Sequence, residues 1–172
     1  MKRLHIFALL AFGALLLAPG TVLAAKESAN GLKTTITAII DAAKAGQTDK
    51  VKDLSKALVL PDPGKFFSGV FGDATGEKLA DEYAKLPKEQ IAELFLKCAR
   101  SGRTNVRVIK IDKADDANAT GLQKAALGAM KNPIALYTVK LTEPGKSSGT
   151  SVWSFVYDGG AFRLGGKMRA VK

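Results

Sequence analysis

Apolar residues recur at helical spacing through the earlier part of this chain and at strand spacing through the later part. The pattern predicts helices first and a sheet last. Leu32, Ile36, Ile39, Ile40 and Ala43 mark one side of an opening helix that starts near Asn30 and stops at Gly46. Thr48 or Asp49 is placed to cap a second helix carrying Val51, Leu54 and Leu58 on one side, ended by Pro61-Asp62-Pro63. Phe66, Phe67, Val70 and Phe71 then cluster before Gly72, as on a short helix that presses several rings against a neighbour. Two more helices are expected over Asp73 to Ala84 and Pro87 to Ser101. The second has Pro in its first turn and Ile91, Leu94, Phe95 and Cys98 on one face.

The period changes at Val106 to Ile111, a β-branched run too short for another helix. A capping box at Thr120-Gly121-Leu122-Gln123 opens one more short helix ending before Pro133. Strands are then expected over Ile134 to Thr142, Ser151 to Tyr157 and Ala161 to Met168. The two-residue turn within Asp158-Gly159-Gly160 preserves the facing parity of its flanks. Trp153, Phe155, Tyr157, Phe162, Leu164 and Met168 are therefore expected on one face, and Val152, Ser154, Val156, Arg163, Lys167 and Arg169 on the other. Helices followed by antiparallel hairpins make an α+β chain.

The N-terminus alters the picture of where this domain works. Met1-Lys2-Arg3, an apolar run from Ile6 to Ala18 and the small residues before Ala25 have the order of a Sec signal peptide, cut after Ala24 or Ala25. The apolar run is shorter than the roughly 20 residues that span a bilayer, no Cys follows Ala24 to accept a lipid, and no Arg-Arg pair is present. The expected organisation is a signal over residues 1–24 and a single domain over residues 25–172, periplasmic or secreted, with no transmembrane anchor after cleavage. Cys98 is the only cysteine, so that domain must be held by packing without an intramolecular disulfide. An exported chain of this kind suits a bacterial envelope, and Asn118-Ala119-Thr120 reads as a chance glycosylation match.

Charge divides unevenly: residues 26–96 carry 10 basic and 11 acidic side chains, and residues 97–172 carry 14 basic and 5 acidic. Arg163, Lys167 and Arg169 are the candidates for an anionic partner such as envelope polymer or lipid. With no interleaved aromatics they do not suggest nucleic-acid reading. The sole histidine, His5, belongs to the leader, which excludes a Ser-His-Asp or Cys-His site from the mature chain and removes the usual zinc sets. Gly145-Lys146-Ser147 lacks the preceding glycine of a phosphate loop, since Lys140 stands there. Cys98 shares its helical face with core residues and reads as a small hydrophobe. No strand interior holds an Asp or Glu, and no catalytic residue, metal or cofactor is expected, although Tyr83, Tyr137 and Tyr157 remain candidate proton donors and Arg107 or Arg163 could hold an anion. An enzyme would need Tyr137 or Tyr157 beside a buried acid, with an Arg to hold the substrate.

The order of helices, the Phe-rich turn after Pro61-Asp62-Pro63 and the terminal hairpin Trp153-Ser154-Phe155-Val156-Tyr157-Asp158-Gly159-Gly160-Ala161-Phe162-Arg163 resemble secreted bacterial NTF2-like proteins across most of the mature chain. The resemblance implies a cone: a curved antiparallel sheet wrapped around the helices, an apolar cavity at the open end, and dimerisation through the sheet. Isomerases and dehydratases of that superfamily place acids, Tyr or His inside the cone. This chain lacks the histidine and the strand-interior acids, so those activities do not transfer. Nor is there a Gln-Val-Val-Ala-Gly segment of the cystatin type. The resemblance implies a noncatalytic module that binds a small apolar ligand in the cone or a protein partner on the sheet. Phe66, Phe67, Tyr137, Trp153, Phe155 and Phe162 are the pocket candidates, with ordinary core packing as their competing role.

Overall fold

The computed structural model describes residues 26–171, so the expected signal peptide, His5 included, lies outside the described residues. Helix α1 (Ala29–Lys44) begins where the Ser28 side chain accepts from the Gly31 N–H, and its stripe of Leu32, Ile36, Ile39 and Ile40 is fully buried. Helix α2 (Thr48–Lys56) starts without a side-chain cap: Gln47 holds the cap position, and neither Thr48 nor Asp49 does. Asp62 caps α3 (Pro63–Phe71) by accepting from the Lys65 N–H at 2.9 Å, with Pro63 in the first turn where its missing donor costs nothing. Helix α4 spans Asp73–Ala84 as its pattern predicts. It crosses α3 closely at Gly76, where a Cβ would lie 2.4 Å from the Ser68 nitrogen.

Helix α5 (Gln90–Arg100) begins later than the proline suggested. Pro87 instead enters a tight turn in which the Gln90 and Ile91 N–H groups donate to the carbonyls of Pro87 and Lys88. Strand β1 (Asn105–Ile111) follows, then α6 (Gly121–Ala129), whose reciprocal capping box between Thr120 and Gln123 is formed as expected. Strands β2 (Leu136–Thr142), β3 (Gly149–Asp158) and β4 (Ala161–Leu164) complete an antiparallel sheet of order β1-β2-β3-β4. Gly159 and Gly160, both at positive φ, form the two-residue turn that sets Tyr157 opposite Phe162 and Phe155 opposite Leu164.

Two features depart from the expected faces. Tyr137 and Val139 of β2 oppose Phe155 and Val152 of β3, so β3 carries one extra residue at Trp153–Ser154. That bulge resets the parity: Val152, rather than Trp153, packs with Phe155, Tyr157, Phe162 and Leu164. Strand β4 also stops at Leu164 and does not run on to Met168. The chain turns through Gly165 and Gly166, exchanges backbone hydrogen bonds with Ser154, and takes positive φ at Gly166 and Met168. Lys167 and Arg169 therefore lie outside the sheet, and Met168 joins the residues packed on its opposite face.

Helices cover both faces. On one, α1, α2 and α5 bury Leu32, Ile36, Val51, Phe95 and Cys98 against Val106, Tyr137, Val139, Leu141, Phe155 and Phe162. On the other, α3, α4 and α6 bury Phe67, Phe71, Leu79 and Ala126 against Ile111, Leu136 and Val156, and the buried Gln123 amide donates to Thr138 Oγ1 at 3.0 Å. The α3–α4–α6 layer is an addition to the arrangement the resemblance implies, in which the sheet wraps one group of helices. No helix among the described residues is long and apolar enough to cross a membrane.

Candidate functional site

The six pocket candidates do not meet in one cavity. Tyr137, Phe155 and Phe162 are buried on the α1–α2–α5 face, where the Tyr137 and Phe162 rings meet edge-on with centroids 5.2 Å apart. Phe67, with half-buried Phe66 edge-on to it at 5.2 Å, belongs to the opposite face. Trp153 is half-buried outside both clusters and receives Lys167 Nζ over its ring, 5.6 Å from the centroid. The three basic candidates are also separated by role. The Arg163 guanidinium donates to the Ala57 carbonyl, whereas Lys167 and Arg169 are exposed beyond the end of β4.

An apolar groove opens to solvent at the sheet margin. Helix α4 lies over one face of the sheet and α5 over the other, so the connection between them must pass the sheet margin on the β3–β4 side. There Leu86 and Pro87 from that connection, Ile91 and Leu94 from α5, Val152 from β3 and Leu164 from β4 enclose a hollow of about 210 Å³. Buried Phe95 and Phe155 form part of its wall, and Lys88 and Gln90 bring polar atoms to it. The groove is held in shape from behind. The Tyr83 hydroxyl accepts from the Leu60 N–H at 2.9 Å, and Lys88 Nζ lies 5.4 Å from the Tyr83 ring centroid. Burial raises the Tyr83 phenol above its ordinary pKa, against the smaller opposing effects of the Leu60 hydrogen bond and the Arg163 charge.

Among the groove residues Phe155 was a pocket candidate and Tyr83 a candidate donor in the sequence. Ile91 and Leu94 were read as the buried face of their helix, and half-exposure at both positions is what distinguishes groove from core. A signal was present in Leu86-Pro87, an apolar pair just before a helix, but periodicity assigns no role to residues between elements.

Among the described residues no Asp or Glu is buried, and no group of three or more His, Cys, Asp or Glu side chains could hold a metal ion. Tyr137 is fully buried and its hydroxyl has no hydrogen-bond partner among the described residues. Its pKa is raised, first by burial and then by the Glu27 charge, with Lys110 opposing. A phenol raised on folding supplies stability that is complete below its unfolded pKa of about 10 and is lost as pH rises through the folded value. Lys110, raised chiefly by its hydrogen bond to Asp112, acts in the same direction. Tyr137→Phe is therefore expected to leave stability at pH 7 unchanged or raise it by up to about 1 kcal/mol, because it removes an unpaired buried hydroxyl. It should also make the decline above pH 10 shallower. Urea unfolding of both proteins from pH 7 to 11 checks this, and a clear loss of stability at pH 7 would contradict it.

The sequence matches no family model, no curated protein and no solved structure.

Proposed function

We propose that this chain is an exported, noncatalytic binding module that holds a protein partner in the groove between α5, the α4–α5 connection and the β3–β4 margin. The observation that carries this reading is the groove itself: half-buried apolar side chains of Leu86, Ile91, Leu94, Val152 and Leu164 set on a packed wall of Phe95 and Phe155. Its size favours a protein over a small ligand. Pockets that engulf small molecules usually enclose about 300–1,000 Å³, and an open hollow of about 210 Å³ suits one or two apolar side chains of a larger partner. Anchor residues seated in such a depression, surrounded by a polar rim, are the usual energetic centre of a protein interface.

The order of helices and the terminal hairpin carry a further part of the proposal, that the chain is a divergent relative of the NTF2-like proteins it resembles. On this reading the binding site has moved from the interior of the cone, where Tyr137, Phe155 and Phe162 are packed together, to the margin of the sheet.

Photo-cross-linking from position 90 tests the function, because Gln90 is exposed and lines the groove. With the cross-linker there in the native host, a discrete protein adduct is expected that is missing when the cross-linker replaces exposed Lys124 of α6. Adducts of small-molecule mass only, or identical adducts from both positions, would overturn it.

A further inference from the structure

The free edge of β3 lies beside the groove. Strand β3 has 10 residues and β4 has 4, and β4 pairs only with Phe155–Asp158. Ser154 is satisfied by Gly165 and Gly166, and before the Trp153–Ser154 bulge Gly149 to Val152 pair with β2 on one side and with no strand on the other among the described residues. Alternate backbone N–H and C=O groups along that stretch must point outward from the sheet.

The two edges of the sheet are treated differently. The outer edge of β1 carries exposed Asn105, Arg107 and Lys110, the charged and polar residues that discourage a foreign strand. The open stretch of β3, Gly149-Thr150-Ser151-Val152-Trp153, has no charge and no proline, and it is rich in residues that favour strands. It also leads directly into the groove through Val152.

On the reading that the groove holds a protein, we infer that the partner contributes an extended segment that adds to β3 as a further strand, with apolar residues alternating with acidic ones. Strand addition draws affinity from main-chain hydrogen bonds and specificity from pockets for alternate side chains. Apolar positions of the added strand face Val152, Ile91 and Leu94. The intervening positions face away from the groove, where Lys167 over the Trp153 ring supplies a cation at the same edge. Charge disfavours a second copy of this chain as the occupant: pairing two β3 edges would gather Lys88 and Lys167 from both copies in a domain whose residues 26–172 carry 24 basic and 16 acidic side chains, a net +8.

The probe is the peptide acetyl-Glu-Val-Glu-Ile-Glu-Val-Glu-amide, added to the mature protein while amide hydrogen exchange is followed by NMR. Alternate amides among Thr150 to Trp153 should slow by about tenfold or more at saturation. Replacing the peptide's Glu residues by Lys, or N-methylating its alternate backbone nitrogens, should weaken binding by about tenfold or more. The N-methylated peptide leaves the protein unaltered, so its failure cannot come from misfolding. No binding at millimolar peptide overturns the inference. Binding that is lost in Ile91→Glu yet leaves the Thr150–Trp153 amides unprotected overturns strand addition while the groove reading stands. Edge amides that become protected with rising protein concentration and no peptide would assign the edge to a second copy, which also overturns it. Loss of the position-90 adduct in the host, by contrast, overturns the groove reading itself.

Discussion

Phe155→Ala is expected to destabilise the domain by about 3–5 kcal/mol, the range for removing a large aromatic side chain from a packed interior. Phe155 is fully buried, pairs with Tyr137 on β2 and Leu164 on β4, and packs in the cluster formed with α1, α2 and α5. Neighbours anchored on two adjacent strands cannot collapse into the space without disturbing the sheet, which places the cost toward the upper part of the range. Urea denaturation followed by circular dichroism measures it. A loss below about 1 kcal/mol would mean that the ring lines an open cavity and not the core.

Phe67→Ala should cost a similar amount, about 3–5 kcal/mol, for a reason on the other side of the sheet. Its buried ring meets Phe66 edge-on, Phe71 at 6.3 Å and Tyr83 at 5.9 Å between centroids, so it ties α3 to α4 under the second helical layer. Because the two rings belong to clusters on opposite faces, their effects should add. The double variant should therefore lose about 6–10 kcal/mol, enough to abolish the cooperative transition of a domain in the lower half of the usual range of about 5–15 kcal/mol. Tyr83 gives a second readout: loosening α3 from α4 should weaken the Tyr83–Leu60 hydrogen bond that backs the groove.

Both phenylalanines were pocket candidates in the sequence, and their burial in separate clusters shows what linear patterns do and do not carry. The element order, the bounds of α4, the capping box of α6 and a two-residue turn within Asp158-Gly159-Gly160 were legible because each rests on local chemistry: period, cap or φ requirement. The face assigned to Trp153 was not. One extra residue at Trp153–Ser154 reverses parity, and alternation along a single strand contains no record of what its neighbour pairs with. The end of β4 was hidden in the same way: Gly165 and Gly166 leave the strand to bond with Ser154, a contact set by tertiary structure. Helical period likewise gives an apolar stripe without saying which face of the sheet it covers. The groove therefore escaped notice, since it exists only because α4 and α5 lie on opposite faces and their connection must cross the margin.

If this margin holds a protein partner, the variant Ile91→Glu should release it. Ile91 is half-exposed in the groove and stands in the first turn of α5, where an added carboxylate is compatible with the helix dipole, so the fold should tolerate the change. Proteins retained from the host envelope by the wild-type chain and by Ile91→Glu would be compared by quantitative mass spectrometry, with the thermal transition of each variant as the folding control. At least one protein carrying an extended acidic and apolar segment is expected to be held by the wild type and reduced about tenfold or more by Ile91→Glu with the transition unchanged. The same proteins retained equally by both chains would contradict a partner at this margin.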